Sequence, residues 1–151
     1  MSSSLVKIDI HLIFHVKSSR IPMREEDLPR IFQFIGGLIR GQGGIPMEVG
    51  GVCNHVHVLT TLPKAMALKD FVRNVKAASS KWIKQLDSYY ETFAWQDGYG
   101  AFSVSPSLLE KTRNYIVRQE EHHKIMTFRE EYKMFLDRYG IEYDEQFFLC
   151  D

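Results

Sequence analysis

The sequence predicts an α+β fold, a ferredoxin-like sandwich in which helices pack on a central antiparallel β-sheet. Two observations support this fold class. Short segments alternate apolar and polar residues with a period of two, which indicates strands, and longer segments repeat apolar residues with a helical period. In chain order they form a strand, a helix, two strands joined by a tight turn, a helix, a short strand pair and two helices. This order is typical of such a sandwich, and we expect its helices on one face of the sheet.

Length and composition indicate one domain over residues 1–151, with its core at about 7–126 and a C-terminal helix and tail at 127–151. Hydrophobic residues make up 44% of the chain, which is enough to bury a core. Lys and Arg together number 19, and so do Asp and Glu. This balance excludes a uniformly basic nucleic-acid-binding protein but leaves a local basic patch open.

Cysteine content and the shortness of the apolar segments indicate the cellular compartment. The two cysteines, Cys53 and Cys150, form neither a disulfide framework nor a Cys-x-x-Cys pair. No apolar run approaches the ~18 residues of a membrane span, and the first four residues do not resemble a signal peptide. We therefore expect a cytoplasmic protein that does not associate with membranes.

The first part of the chain predicts a strand, a helix and a β-hairpin. Residues 8–16 alternate in hydrophobicity and form the first strand. A helix follows at 28–40, with Asp27 as its N-cap and a glycine-rich stop. A second strand at 45–52 turns at residues 53–54 into a third strand, so the two strands are expected to form a hairpin.

The longest helix is predicted at 68–86, where apolar residues fall on one arc at about 100° per residue. An adjacent arc of this helix is basic. It is either a solvated surface or a ridge that binds phosphates, and the sequence leaves both open. The residues concerned are Lys69, Arg73, Lys76 and Lys84, joined by Lys17 and Arg20 from the turn after the first strand.

The last part of the chain predicts a short strand pair and two helices. Residues 93–95 and 99–104 are predicted to pair with each other. The helix at 107–125 begins with a Ser-x-x-Glu capping box. A second capping box begins at Thr127, and its helix ends at Gly140.

Two histidines on the third strand are the first candidates for a functional site. His55 and His57 are separated by one residue, so both imidazoles project from the same face of the strand. Val56 and Val58 point to the opposite face, into the core. The pair is either a metal site, because each neutral imidazole offers a lone pair, or an ordinary feature of a half-exposed strand.

A tyrosine and a glutamine on the helix at 107–125 extend this site. Tyr115 and Gln119 lie four residues apart and project from one helix face. If that helix packs beside the third strand, His55, His57 and Gln119 form a nitrogen, nitrogen and oxygen set that suits Mg²⁺ or Mn²⁺. A tyrosine hydroxyl then needs an electrophile polarised by a cation, and a metal-bound phosphate ester is such an electrophile.

Several motifs together resemble one family of enzymes. His55-Val56-His57 has a His-hydrophobic-His pattern, and Tyr115-Ile116-Val117-Arg118-Gln119 has a Tyr-Ile-x-x-Gln pattern. Over residues 7–141 the chain resembles the single-tyrosine HUH transposases, which are the insertion-sequence-200-type enzymes and their REP-associated relatives. Further matching segments are Ile10-His11-Leu12-Ile13-Phe14, Lys76-Ala77-Ala78-Ser79-Ser80 and the run at 95–105.

The resemblance implies a reaction and the residues that perform it. It implies a bacterial, DNA-associated enzyme, commonly a homodimer, that cleaves and rejoins single-stranded DNA with hairpins. Tyr115 would be the nucleophile of a 5′-phosphotyrosine intermediate, and His55, His57 and Gln119 would be the metal ligands. Asn54 stands where family members usually have an aspartate before the first histidine, which changes the group available to orient that imidazole.

The sequence also raises two alternative functions and possible roles for three further histidines. A histidine-triad nucleotide hydrolase needs a third histidine two residues after His57, where a leucine stands. A catalytically inactive or domesticated protein that binds hairpin DNA stays open. His122 shares the helix face of Tyr115 and, like its neighbour His123, is a candidate for an extra ligand, a proton-transfer group or a helix-terminal histidine. His11 is expected to support the metal site from the neighbouring strand.

Overall fold

A computed structural model describes residues 4–149 and shows a four-stranded antiparallel sheet with helices packed on it; Cys150 lies outside the described residues. The strands are β1 (Asp9–His15), β2 (Pro46–Val52), β3 (His55–Thr61) and β4 (Gly100–Ser103). The helices are α1 (Leu28–Gly41), α2 (Leu68–Leu86), α3 (Leu109–Val117), α4 (Gln119–His122) and α5 (Phe128–Arg138). None of the described helices has both the length and the hydropathy needed to cross a membrane.

The sheet confirms the predicted α+β class and its ferredoxin-like connectivity. The strand order is β2-β3-β1-β4, and each neighbouring pair is antiparallel. β1 and β3 occupy the centre, and every residue of β1 is buried. Their register places His11 opposite Leu59 and Ile13 opposite His57, so these four side chains share one face of the sheet.

Helices cover both faces of the sheet, and the prediction of helices on one face was wrong. α1 and α2 pack on the face that includes Leu12, Phe14 and Val56. α5 packs on the other face, against Ile13 and Phe102. The reason is that the central strands carry apolar residues on both faces, and apolar surface left in water lowers stability.

The predicted strand pair at 93–95 and 99–104 does not form. Only β4 is a strand, and it pairs with β1, while Trp95 makes a single β-bridge just beyond the end of β1. Trp95 is instead held in the core, where its ring lies edge-on to Phe14 and its indole N–H donates to Ser79 Oγ at 2.9 Å. Burial of this large side chain therefore decides the path of the segment.

The caps predicted for the last helix are present. Thr127 Oγ1 accepts a hydrogen bond from the Glu130 backbone N–H at 3.2 Å, and the Glu130 carboxylate accepts one from the Thr127 backbone. Gly140 follows α5 with a φ of +65°, a conformation that glycine adopts without steric conflict. Local sequence thus determines both ends of α5.

The predictions of one continuous helix at 107–125 and of caps at Ser107 and Asp27 were wrong. The helix predicted at 107–125 is broken into α3 and α4, and the side chain of Ser107 makes no capping hydrogen bond. The break falls at Arg118, whose ψ of 22° departs from helical geometry. Asp27 precedes α1 but does not cap it, because its carboxylate accepts the hydroxyl hydrogen bond of buried Tyr90 at 2.6 Å.

The closely packed contact between β2 and α3 helps to fix the position of Tyr115. A Cβ atom at Gly50 would lie 2.9 Å from Ile116 Cγ2 and 3.0 Å from the Ile116 carbonyl oxygen, both shorter than ordinary contacts. Gly37 on α1, in contrast, has open space around it. The absence of a side chain at Gly50 therefore lets α3 approach the sheet.

We expect Gly50→Ala to lower the free energy of unfolding by about 1–3 kcal/mol, because the added methyl group forces α3 away from β2. Gly37→Ala should raise it by about 0.5–1 kcal/mol, because alanine loses less backbone entropy than glycine in a helix. Urea unfolding followed by circular dichroism measures both values. Equal stabilities of the two variants would contradict the close packing of α3 on β2.

Candidate active site

The two histidines of β3 lie on the sheet face that α5 covers. His55 and His57 are fully buried, whereas the sequence left open a half-exposed strand face. The ring of Phe128 stacks on His55 at a centroid distance of 4.2 Å, and the ring of Phe135 lies 6.4 Å from that of His57. The aromatic residues of α5 thus shield both imidazoles from water.

α5 also places a carboxylate beside these imidazoles. Glu131 is fully buried, and its Oε1 atom lies 2.9 Å from His57 Nε2 and 3.2 Å from His55 Nε2. His123 Nε2 lies 3.1 Å from the same oxygen. The ligand atoms of His55, His57 and Glu131 all lie within 4.8 Å of one another. Sequence reasoning did not find this residue.

One feature of the sequence does point to Glu131. Phe128, Tyr132 and Phe135 recur with helical spacing and form the buried side of α5. Glu131 lies on the same side, and a carboxylate on an apolar helix face requires a buried partner. Helical spacing alone does not specify that partner, because the partner depends on where α5 packs.

Gln119 meets the same cluster from α4. Its buried side chain places Oε1 3.0 Å from His55 Nε2, and its Nε2 donates to Glu131 Oε2 at 2.9 Å. The structure therefore brings the three predicted ligands together within one chain. Their role in binding a metal stays a prediction, and Glu131 becomes a further candidate ligand.

Tyr115 on α3 contacts the cluster through its hydroxyl group. The hydroxyl donates a hydrogen bond to Glu131 Oε2, and the Tyr115 ring lies 6.0 Å from that of His57 in the same chain. The two oxygens of Glu131 therefore have different surroundings: Oε1 faces the imidazoles, and Oε2 faces Tyr115 and Gln119. The predicted nucleophile and the predicted ligands belong to one hydrogen-bond network.

Burial and hydrogen bonding set the protonation states of this network. Burial opposes ionisation of Glu131, but hydrogen bonds from His123, His55 and His57 outweigh it and hold the pKa of the carboxyl well below its usual range. Burial, aided by the hydrogen bond to Glu131, raises the pKa of Tyr115. Burial lowers the pKa of His55 to about 4, so this imidazole is neutral at pH 7, as a metal ligand must be.

Neighbouring side chains orient both imidazoles of β3. Asn54 Oδ1 lies 2.7 Å from His55 Nδ1, and His11 Nε2 lies 2.7 Å from His57 Nδ1. A neutral imidazole carries one N–H: with the proton on Nε2 each β3 histidine donates to Glu131, whereas with the proton on Nδ1 it donates to its neighbour and turns the Nε2 lone pair toward Glu131, as metal binding requires. The support expected from His11 is therefore present as a direct contact with His57.

The donor set fits a divalent cation. It combines two imidazole nitrogens with a carboxylate oxygen and a carboxamide oxygen, a mixture that suits Mn²⁺ and, through the oxygen donors, Mg²⁺. When Nε2 of both imidazoles is unprotonated, two lone pairs and a carboxylate face one another, and a cation among them removes the repulsion. The residues that could hold it are His55, His57, Gln119 and Glu131.

The two histidines that follow Gln119 have different surroundings. His122 stacks on the Tyr115 ring at a centroid distance of 4.4 Å, although the break at Arg118 places the two residues on different helices. His123 Nε2 lies 3.2 Å from Gln119 Oε1 and also contacts Glu131. His123 therefore touches the candidate metal ligands, whereas His122 flanks the phenol.

The predicted basic ridge lies on the side of the sheet that α1 and α2 cover. Lys76 is half-buried there, and its Nζ donates to the carbonyl oxygens of Gln96 at 2.5 Å and Gly98 at 2.8 Å. Arg73 pairs with Asp70 at 3.1 Å. A groove of about 430 Å³ is lined by Lys17, Lys69, Arg73 and Lys76, while Arg20 and Lys84 do not line it. Their contact with DNA stays a prediction.

Most of the chain matches a known protein family. Residues 4–119 match the family described as "Transposase IS200 like". This range contains His55, His57, Tyr115 and Gln119 and ends before Glu131. A comparison with curated protein sequences finds no match.

Solved structures with the same fold include two relatives. A provisionally named transposase from Deinococcus radiodurans R1 has 18% identity and a TM-score of 0.61, over 79% of this chain and 95% of its own. A REP-associated tyrosine transposase bound to a REP hairpin has 14% identity and a TM-score of 0.59, over 82% of this chain and 74% of its own. At these identities the likeness concerns the fold alone. Because the family match spans residues 4–119 of a 151-residue chain, this protein belongs to the IS200-like transposase family.

Proposed function

We propose that this protein is a metal-dependent transposase that cleaves and rejoins single-stranded DNA and recognises hairpin ends. The observation that carries the proposal is the contact of the Tyr115 hydroxyl with Glu131, whose other oxygen faces His55 and His57. The residues proposed as nucleophile, proton acceptor and metal ligands therefore meet in a single chain. Mn²⁺ or Mg²⁺ is the cation that this donor set suits.

Tyr115 supplies the oxygen that attacks phosphorus. As the bond between this oxygen and the scissile phosphorus forms, the bond from phosphorus to the 3′ oxygen breaks. The products are a 5′-phosphotyrosine and a strand with a free 3′-OH, so the covalent link keeps the energy of the phosphodiester bond. Attack by the 3′-OH of another strand reverses the step, and rejoining requires no ATP.

Glu131 is the proposed acceptor of the phenolic proton. Its Oε2 atom accepts the hydrogen bond of Tyr115, while Oε1 lies beside the imidazoles. Within the chain's own hydrogen-bond network, the raised pKa of Tyr115 and the lowered pKa of Glu131 oppose this transfer. A divalent cation held by His55, His57, Gln119 and Glu131 would supply positive charge to polarise the scissile phosphate and to favour the phenolate.

Hairpin DNA and a second copy of the chain are the proposed partners. One relative with this fold was solved with a REP hairpin bound, and the basic groove along α2 offers positive charge for duplex phosphates. We propose a homodimer in which each chain acts through its own Tyr115, because Tyr115 reaches the histidines of its own chain. The proposed compartment is the bacterial cytoplasm.

Tyr115→Phe should abolish DNA cleavage and the covalent protein–DNA adduct, while folding and DNA binding survive. The substitution removes the attacking oxygen, so the loss should exceed the ~10²–10⁴-fold effect of removing a general acid or base. Denaturing gels with 3′-labelled single-stranded DNA measure the adduct. Tyr143→Phe is the matched control, because it removes an exposed hydroxyl that donates to Asp137, and it should retain activity. An adduct formed by Tyr115→Phe would assign the attack to another residue.

Mixed dimers test whether one chain holds a complete active site. A Tyr115→Phe chain mixed with a His55→Ala chain should stay inactive, because each chain then lacks one part of its own site. Proof that mixed dimers form, from differently tagged chains, is the control. Regained activity in the mixture would show that Tyr115 acts on a site in the partner chain.

Glu131→Gln should weaken Mn²⁺ binding about tenfold or more, because a neutral amide of the same shape replaces a charged ligand. Gln119→Ala should weaken binding less, because it removes a neutral oxygen. Isothermal titration calorimetry with manganese chloride measures both affinities, and Glu121→Gln, an exposed carboxylate on α4, is the control. The reverse order of the two effects would remove Glu131 from the ligand set.

Replacing Lys69 and Lys84 together by Ala should weaken the binding of a DNA hairpin and reduce its salt dependence. Each lost phosphate contact on duplex DNA reduces the slope of log K against log salt concentration by about 0.9. Fluorescence anisotropy of a labelled hairpin at several salt concentrations measures the slope. Lys81→Ala, an exposed lysine of α2 outside the ridge, is the control. An unchanged slope would identify the ridge as ordinary solvated surface.

A further inference from the structure

A cavity of about 600 Å³ lies beside Tyr115, between α3, α5 and the segment after β4. Its volume is within the range of sites that hold small organic ligands. The Tyr115 ring lines this cavity, and the Tyr115 hydroxyl contacts Glu131 in the candidate metal site. A molecule in the cavity would therefore lie within one side chain of the proposed reaction centre.

Exposed basic residues surround the cavity without acidic partners. Among the described residues, no ion pair neutralises Lys111, Arg118 or Arg138. Other arginines of the same region are paired: Arg113 contacts Glu48 at 3.2 Å, and Arg129 lies 3.9 Å from Glu145. Although the whole chain is neutral, the rim of this cavity is thus a local concentration of positive charge.

Aromatic side chains form much of the cavity wall. The rings of Phe135 and Tyr115 lie 5.7 Å apart in an edge-to-face arrangement, and Tyr139 is 40% exposed. His122 stacks on Tyr115, and its Nε2 atom is shielded from solvent without a hydrogen-bond partner among the described residues. The described residues thus leave the hydrogen-bonding capacity of this ring nitrogen unused.

We propose that this cavity binds one nucleotide of the single-stranded DNA substrate next to the scissile phosphate. The base packs against the exposed ring of Tyr139, and the phosphates on either side contact the basic residues of the rim. This inference rests on the proposed function, and it adds the place where the strand is held. The basic residues are Lys111, Arg118 and Arg138.

The chemistry of the walls favours a nucleotide over an acidic peptide. A nucleobase offers a flat face to the aromatic rings and polar edges to His122 Nε2 and the Asn114 side chain. The acidic C-terminal segment of the chain itself does not supply the occupant, because Glu145 pairs with Lys133 at 2.7 Å on another part of the surface. Unpaired positive charge and aromatic faces together are the two features that single-stranded nucleic acid requires.

Binding of a fluorescein-labelled oligodeoxythymidylate tests the phosphate contacts. In the Tyr115→Phe chain, which binds without cleaving, replacing Arg118 and Arg138 by Gln should reduce the slope of log K against log salt concentration by about 1.4, or about 0.7 per contact on a single strand. Replacing Arg113 and Arg129 by Gln is the matched control, because both arginines are paired with glutamates, and it should leave the slope unchanged.

Photo-cross-linking tests the position of the base. An oligonucleotide that carries 5-iododeoxyuridine should cross-link, on irradiation, to the peptide containing Tyr139, as identified by mass spectrometry. Tyr139→Ala should weaken binding by about 5- to 150-fold, the range for loss of one base stack. Competition by polyglutamate as strong as that of unlabelled oligonucleotide would overturn the assignment to a nucleotide.

Failure of this inference can be told apart from failure of the proposed function. If the native chain forms the Tyr115 adduct, yet the Arg118 and Arg138 variant keeps its slope and the cross-links map to α2, the cavity is not the strand site and the proposed function stands. If the native chain neither binds the oligonucleotide nor forms an adduct with Mn²⁺ present, the inference about the cavity and the proposed function are both wrong. Loss of slope together with a cross-link at Tyr139 supports the inference.

Discussion

The buried carboxylate of Glu131 is the constraint on which the rest of the site depends. A carboxylate with no solvent exposure lowers stability unless hydrogen bonds or opposite charges compensate for its lost hydration. Glu131 has such partners on both oxygens, and they come from three other elements and the segment after α4. The partners are His55, His57 and His123 on Oε1, and Tyr115 and Gln119 on Oε2. One side chain thus ties β3, α3, α4 and α5 into a single arrangement, because misplacing any of them leaves a buried charge without a partner.

The two faces of the sheet have different roles: one supplies most of the apolar burial, and the other holds the polar network of the candidate site. The face under α1 and α2 is packed with aliphatic and aromatic residues, and it supplies most of the apolar burial that holds the sheet together. The other face places polar side chains among aromatic rings, so its hydrogen bonds are strong and the Tyr115 hydroxyl resists ionisation. The break at Arg118 contributes to this second face, because it separates the helix that carries Tyr115 from the one that carries Gln119 while both side chains reach the same carboxylate.

The C-terminal helix lies beyond the family match and contributes to the candidate site. The match to the IS200-like transposases ends at residue 119, whereas Glu131, Phe135 and Arg138 all lie beyond it. α5 therefore contributes the carboxylate of the candidate metal site as well as one wall of the cavity proposed for the DNA strand. A neutral chain is also compatible with the proposed DNA substrate, because pairing within the chain neutralises some basic residues and leaves others unpaired around the cavity.

Local spacing in the sequence was sufficient to predict the hairpin of β2 and β3, the limits of α2 and the caps of α5, because each depends on residues within a few positions of one another. It was also sufficient to predict that His55 and His57 share a strand face and that Tyr115 and Gln119 project together. Only the tertiary structure placed helices on both faces of the sheet, moved Trp95 into the core and brought Glu131 to His57, from which it is separated by 74 positions. The physical reason is that periodicity specifies which residues of one element share a face, whereas the partner of that face is decided by how all the elements together bury apolar surface and satisfy buried charge.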